Sequence, residues 1–126
     1  MPRKQNINQA YLLPGRAPLS KATQFGDLVF GQGCTGRHSS DGAVDKDIIE
    51  QTQFTLERIK PIWEETGTPL DNVLSNTYYL ARKEDVSSFN EVYAEFFPSG
   101  RPSHTAIIIG VGTDYDLAEV TSTACI

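Results

Sequence analysis

The sequence predicts an α+β domain of order β-β-α-β-α-β-β, a mixed sheet carrying two helices on one face. Three observations predict it. Residues 47–66 and 85–97 repeat apolar side chains at helical spacing. Five shorter segments alternate, or run apolar, between glycine- and proline-rich breaks. And 126 residues lie near the commonest size of a single folding unit, so 1–126 is read as one domain.

The first strand is expected within residues 20–25, and the second at Leu28, Val29 and Phe30, a short apolar run flanked by glycines. A polar stretch rich in Gly, Ser and Asp follows over 35–42 and reads as a loop. In the first helix Ile48, Thr52, Leu56, Ile59 and Trp63 make one stripe. Asp47 with Glu50 three residues later reads as an N-cap, and Gly67 as the stop. Pro61 inside this pattern removes a backbone donor and predicts a kink. Residues 73–80 alternate and carry two tyrosines, which suits a strand. The second helix places Val86, Phe89, Tyr93, Phe96 and Phe97 on one face and ends at Pro98 and Gly100. Residues 104–109 and 117–124 are the last strands, joined through a turn-rich segment over 110–116. Two helices leave the other face of the sheet bare, and in so short a chain a second subunit is the natural cover.

Composition narrows the function. A net charge of −5 and a pI near 4.9 argue against a nucleic-acid partner, because phosphate binding needs a basic footprint. No apolar stretch approaches the roughly 18 residues of a membrane span, so no membrane partner is expected. The opening Met-Pro-Arg-Lys-Gln-Asn lacks the apolar run of a signal peptide. The expected compartment is therefore cytoplasmic and reducing, with Cys34 and Cys125 as thiols.

Gly31-Gln-Gly33-Cys-Thr-Gly36 has the spacing of a dinucleotide fingerprint. That reading needs a helix directly after it. Here Arg37 and His38 open a loop instead, so the glycines read as a strand end where backbone comes close. Cys34, His38, His104 and Cys125 have ligand-type side chains but no local metal spacing, and no metal or cofactor is expected. Cys34 with a histidine would make a nucleophile and base if folding brought them together; otherwise it is a packing thiol. Arg101 and His104 open a strand after a Gly/Pro loop, a place where polar groups line clefts. Glu119 stands out in a strand of small and apolar residues, on the face of Leu117, Thr121 and Thr123.

Several stretches in order resemble one family. They are residues 17–22, Gly26-Asp-Leu-Val-Phe30, Leu56-Glu-Arg-Ile-Lys60, residues 67–80, Phe89-Asn-Glu-Val-Tyr-Ala-Glu-Phe-Phe97, and Arg101-Pro-Ser-His-Thr105 with the closing strand. Together they resemble the Rid proteins, also called YjgF proteins or reactive-intermediate deaminases and, in older usage, L-PSP endoribonucleases. The resemblance implies a chorismate-mutase-like fold, a homotrimer with ligand clefts between subunits, and cofactor-free hydrolysis of 2-imino or enamino acids. In that chemistry an arginine holds the substrate carboxylate with a planar fork and a glutamate handles the water.

The chain departs from the pattern at those positions. The arginine position holds His104, the glutamate position falls on Thr121, the tyrosine position is Leu19 and the serine position is Gln32, while the helix asparagine is kept as Asn90. Two readings follow. In the first, the chain is a divergent enzyme doing deaminase- or hydrolase-type chemistry on an imine, enamine or related small molecule. His104, Glu119 and Thr121 would be its catalytic groups, and Gln32, Cys34, Leu19, Asn90 and Arg101 would contact the substrate. Ordinary 2-imino-acid hydrolysis is not expected without the arginine. In the second, the trimer keeps its clefts but only binds a small molecule or regulates, with Leu19 and Ile107, Ile108 and Ile109 making the pocket apolar. A ribonuclease is disfavoured, since an acidic chain would have to meet a polyanion.

Overall fold

The computed structural model describes residues 1–7, 19–36, 47–111 and 115–126. These form strands β1 (Gln5–Ile7), β2 (Ala22–Phe25), β3 (Leu28–Gly31) and β4 (Cys34–Thr35), helix α1 (Ile48–Thr66), strand β5 (Val73–Leu80), helix α2 (Val86–Phe96), and strands β6 (Ser103–Ile108) and β7 (Ala118–Cys125). The expected seven elements are all present, and β1 and β4 are additions. Both are too short to carry a readable alternation. They exist because β2 and β7 offer them open backbone to pair with. Arg37, His38 and residues 17 and 18, which entered the sequence reading, lie outside the described residues.

The sheet runs β1-β2-β3-β7-β5-β6, and β4 also pairs with β7. Every pairing is antiparallel except β5 with β6, so the sheet is mixed. β7 fixes the two faces. Ala118, Val120, Ser122 and Ala124 are buried, while the residues between them are half-exposed. Because strand side chains alternate, everything in register with the first set faces the helices, and everything in register with the second faces away.

The inward face of β7 is small, and that lets α1 lie close to it. Leu56, Ile59 and Trp63 are almost fully buried against the sheet, along with Val29, Leu80 and Val120. Fully burying each large apolar side chain contributes about 1.5–3 kcal/mol. Asp47 caps α1 by accepting from the Ile49 amide at 2.6 Å, and Gly67 ends it in the left-handed region at φ 71°. The helix is continuous through Pro61, which is exposed. The buried stripe is broader than the apolar pattern. It also takes in Gln51 and Thr55, whose polar atoms find hydrogen-bond partners. Thr55 donates to the Gln51 carbonyl, and the Gln51 amide bridges the Tyr115 carbonyl and the Leu117 N–H, tying α1 to the segment before β7. Arg58 donates to the Thr35 carbonyl at 2.7 Å and docks the same helix on β4.

α2 covers β5 with Phe89, Val92 and Tyr93, and Phe97 follows it into the core. Tyr78 stacks on Phe89 with ring centroids 4.2 Å apart. No helix among the described residues is long and apolar enough to cross a membrane.

Gly36 shows what the glycine-rich stretch is for. A Cβ there would stand 2.7 Å from the Gln51 carbonyl oxygen and 2.9 Å from the Gln51 Cα, both backbone atoms of α1. Close approach of backbone to backbone, not nucleotide binding, requires this glycine. Gly36→Ala is therefore expected to destabilise the fold by about 1–3 kcal/mol, read by urea denaturation; an unchanged midpoint would mean the contact yields freely.

Candidate functional site

The expected site residues divide between the two faces of the sheet. Register decides the division. His104 pairs with Asn76, which is buried under the helices, so His104 lies on the helix side of the exposed edge strand β6. Glu119 pairs with Tyr79 and Thr35, and Thr121 with Thr77, on the opposite face. One chain thus brings Glu119 and Thr121 together, and holds His104 on the other side of the sheet.

On the helix side, His104 packs edge-on against two neighbouring tyrosines. Its ring centroid is 5.1 Å from that of Tyr78 and 5.2 Å from that of Tyr93, with interplanar angles of 72° and 84°. Both tyrosines are held by polar bonds. The Tyr78 hydroxyl donates to Asn90 Oδ1 at 2.9 Å. Asn76 Nδ2 donates to the Tyr93 hydroxyl at 2.8 Å, and the Ser122 hydroxyl donates to Asn76 Oδ1. Burial pushes both phenols above their ordinary value of 10.0, which keeps them neutral well past neutral pH. Arg101 lies beside this cluster, its Nε donating to the Phe97 carbonyl at 2.9 Å and its charge easing the rise at Tyr93.

On the outer face, Glu119 is set by Gly33. A Cβ on Gly33 would come within 2.7 Å of Glu119 Oε1, so the missing side chain is the space the carboxylate occupies. Thr35 and Tyr79 are its direct cross-strand partners on that face, Thr121 is two residues along the same strand, and Thr77 pairs with Thr121. The face continues through Thr123 and Cys125 to Phe30, Leu28 and Phe25, three large apolar side chains that are 45%, 40% and 53% exposed. Gln32 is half-buried beside Gly33, its amide donating to the Lys21 carbonyl, and Leu19 is exposed.

Cys34 goes elsewhere. Its side chain is 1% exposed and packs in the core, with Sγ donating to the Gln32 carbonyl at 3.8 Å. Parity explains it: Cys34 pairs with inward-facing Val120, while its neighbour Thr35 pairs with Glu119. Cys34 is thus a packing thiol of the core and not a cleft residue. Among the described residues no three His, Cys, Asp or Glu side chains converge as a metal site would require.

Tyr78, Tyr93, Asn76 and Gly33 were missed from sequence. The available signal was parity. Asn76 and Tyr78 occupy the core-facing phase of an alternating strand, and polar atoms buried there need partners.

With this geometry in hand, comparison with known proteins places the chain. The sequence model described as Endoribonuclease L-PSP matches residues 12–120. The chain belongs to that family. A RutC family protein of Pyrococcus abyssi is 37% identical over 91 residues, spanning 71% of this chain and 72% of its own. The 3-aminoacrylate deaminase RutC of Acinetobacter baylyi is 32% identical over 112 residues, spanning 88% of this chain and 89% of its own. Among solved structures, the Rid-family protein YyfA of Yersinia pestis superposes with a TM-score of 0.86 at 23% identity, covering 98% of this chain and 100% of that one. At that identity the superposition speaks for the fold alone, and it bears out the mixed sheet with two helices on one face.

The chemistry of Cys34 follows from its place. Burial is the main cause lifting its thiol above 9.0; Glu119 adds to the rise, while Arg58 and Lys21 oppose it. A raised folded value means stability is fully present below pH 9 and is lost as pH climbs through that value. At pH 8 Cys34 is expected to resist a thiol-specific disulfide reagent until denaturant is added, and Cys34→Ala to flatten the alkaline fall in melting temperature. Rapid labelling of native Cys34 would contradict its placement.

Proposed function

We propose that the chain is a cofactor-free hydrolase of imines or enamines, of the deaminase type, working in clefts between the subunits of a homotrimer. The observation that carries this reading is the division of the site between two sheet faces. His104 and Asn90 on the helix side, and Glu119 and Thr121 on the outer face, cannot reach one small molecule within a chain. Between chains they can, if the edge carrying His104 meets the outer face of a neighbour. That outer face, with Phe25, Leu28 and Phe30 exposed, is the part of the molecule in need of cover. Kinship with the 3-aminoacrylate deaminase of Acinetobacter baylyi supports the reaction class.

The reaction needs only water and two proton-handling groups. Glu119 takes a proton from water as its oxygen bonds to the imine carbon, and His104 gives a proton to the imine nitrogen. The C=N double bond becomes a single bond, leaving a carbinolamine. Glu119 then returns its proton to the amine. The C–N bond breaks as the hydroxyl proton passes to His104, and ammonia and a carbonyl compound leave. Both groups end as they began. Thr121, beside Glu119, holds the water.

Complementation tests the cross-subunit arrangement. His104→Ala and Glu119→Gln are each expected to lower turnover of imines generated in situ by about 10²–10⁴-fold. Unfolding and refolding the two variants together should restore about a quarter of wild-type activity, because randomly mixed trimers pair an intact His104 with an intact Glu119 at about one cleft in four. No recovery would reject a shared site, and an inert wild type would reject the hydrolase. Gly33→Ala supplies a separate check. It should change stability by less than about 0.5 kcal/mol, since only a flexible carboxylate must move, yet cut turnover at least about tenfold. Full turnover in Gly33→Ala would mean the position of Glu119 does not matter.

A further inference from the structure

We propose that the groove between α1 and α2 docks a basic segment of a partner protein, which lays an arginine on the Phe96 ring in a groove rimmed by Glu57 and Glu95. The proposal is independent of the cleft described above, because none of the residues that line this groove belongs to the proposed catalytic groups.

Helical spacing builds the groove. Gln53, Glu57 and Lys60 follow one flank of α1, and Val92, Glu95 and Phe96 line it from α2. It holds about 510 Å³, in the range of sites that take a ligand or a few side chains. Leu70 also lines it, and both Leu70 and Phe96 are half-buried, with one side against the core and the other open. The chain's own Lys60 reveals what chemistry the groove accepts. From α1 its ammonium reaches across to Phe96 of α2, 5.0 Å from the ring centroid, while staying 3.2 Å from Glu57 Oε1. An aromatic face and a carboxylate thus already hold one cation together. The hold is loose. The Lys60 side chain is 38% exposed and that of Glu57 59%, and exposed pairs contribute little, so the ammonium exchanges readily for a better cation.

Charge complementarity names the occupant. Glu57 and Glu95 set two negative charges against the one positive charge of Lys60, and Glu95 makes no ion pair or hydrogen bond among the described residues. One negative charge is left uncompensated, in a chain whose net charge is −5. An acidic partner is repelled from such a face and a basic one is drawn to it. A guanidinium suits the seat better than an ammonium, being planar, more weakly hydrated and able to stack on a ring while its edge meets a carboxylate. An isolated cation gains little over Lys60, so the occupant must add apolar contact, and Leu70 and Phe96 offer it. The occupant is thus a short protein segment with an arginine and a neighbouring apolar residue, not a free amine.

The test uses the full chain and a blocked, fluorescein-labelled peptide about three helical turns long, with one arginine and a leucine one turn away. Anisotropy at low salt reads the affinity, and ¹H–¹⁵N spectra of the full chain read the place. The backbone signals of Glu57, Lys60, Glu95 and Phe96 are expected to shift first. Lysine in place of the peptide's arginine should weaken binding at least about threefold, and glutamate should abolish it. Lys60→Gln should tighten the arginine peptide about five- to tenfold, because the internal competitor is gone. Lys83→Gln removes an equal charge at an exposed position outside the groove and should change the affinity less than about twofold. Phe96→Leu, which stays apolar but loses the ring face, should weaken binding about tenfold, and Glu95→Gln about three- to fivefold. Glu95 is exposed, so that variant keeps the fold and its result stands even if Phe96→Leu does not fold. Shifts confined to other surfaces overturn the proposal. So does equal tightening in Lys60→Gln and Lys83→Gln, which would mean bulk charge alone. Arginine amide binding as tightly as the peptide would put a small organic cation in place of a partner protein, and that too overturns it.

Discussion

The alternation of β7 is the constraint on which the rest of the molecule depends. This strand hydrogen-bonds to β3, β4 and β5, so its phase sets the phase of the whole sheet. A slip of one residue would turn Glu119, Thr121 and Thr123 under the helices and expose Val120 and Ala124. Unpaired burial of a carboxylate is far more costly than any local bond could offset, so register is fixed strongly. Small inward residues complete the constraint. With Ala118 and Ala124 fully buried, α1 can bring Trp63 and Leu56 down onto the sheet.

The same alternation places the two groups of residues proposed for catalysis on opposite faces. His104 packs against aromatic rings on the helix side; the Glu119 carboxylate stands on the outer face, in space left by a glycine. Keeping them apart has an electrostatic consequence. On opposite faces of one sheet, Glu119 and His104 form no ion pair with each other inside one subunit. The buried Ser122–Asn76–Tyr93 chain then acts as a brace running through the sheet core to the His104 side.

Much of the fold was legible because the signals were local. The α1 cap at Asp47, its stop at Gly67, and the alternation of β5 and β7 depend on residues close in sequence, and the structure reproduces them. Strands β1 and β4 were illegible, because a two- or three-residue strand is defined by its partner and not by its own pattern. Gln51 and Thr55 escaped the predicted stripe for a related reason. Their polarity argued for solvent, while hydrogen bonds to residues of α1 and the segment before β7 made burial affordable. Of the candidate site, what was legible was the placement of residues on faces of the sheet. Glu119 stood out by composition, and its phase with Thr121 was correct. The sidedness of Cys34 and His104 required the register of β4 and β6, which no single-strand pattern contains.

β7 also stands last among its partners along the chain while lying in the middle of the sheet. Until it joins, β1, β2 and β3 form one ribbon and β5 with β6 another, and no backbone bond of the sheet links the two. During synthesis the ribosome therefore releases an incomplete sheet with two unsatisfied edges, and the core cannot close until residues 118–125 have left the exit tunnel. Closure of this sheet thus waits on the strand made last among its elements, whatever order the two ribbons take before it.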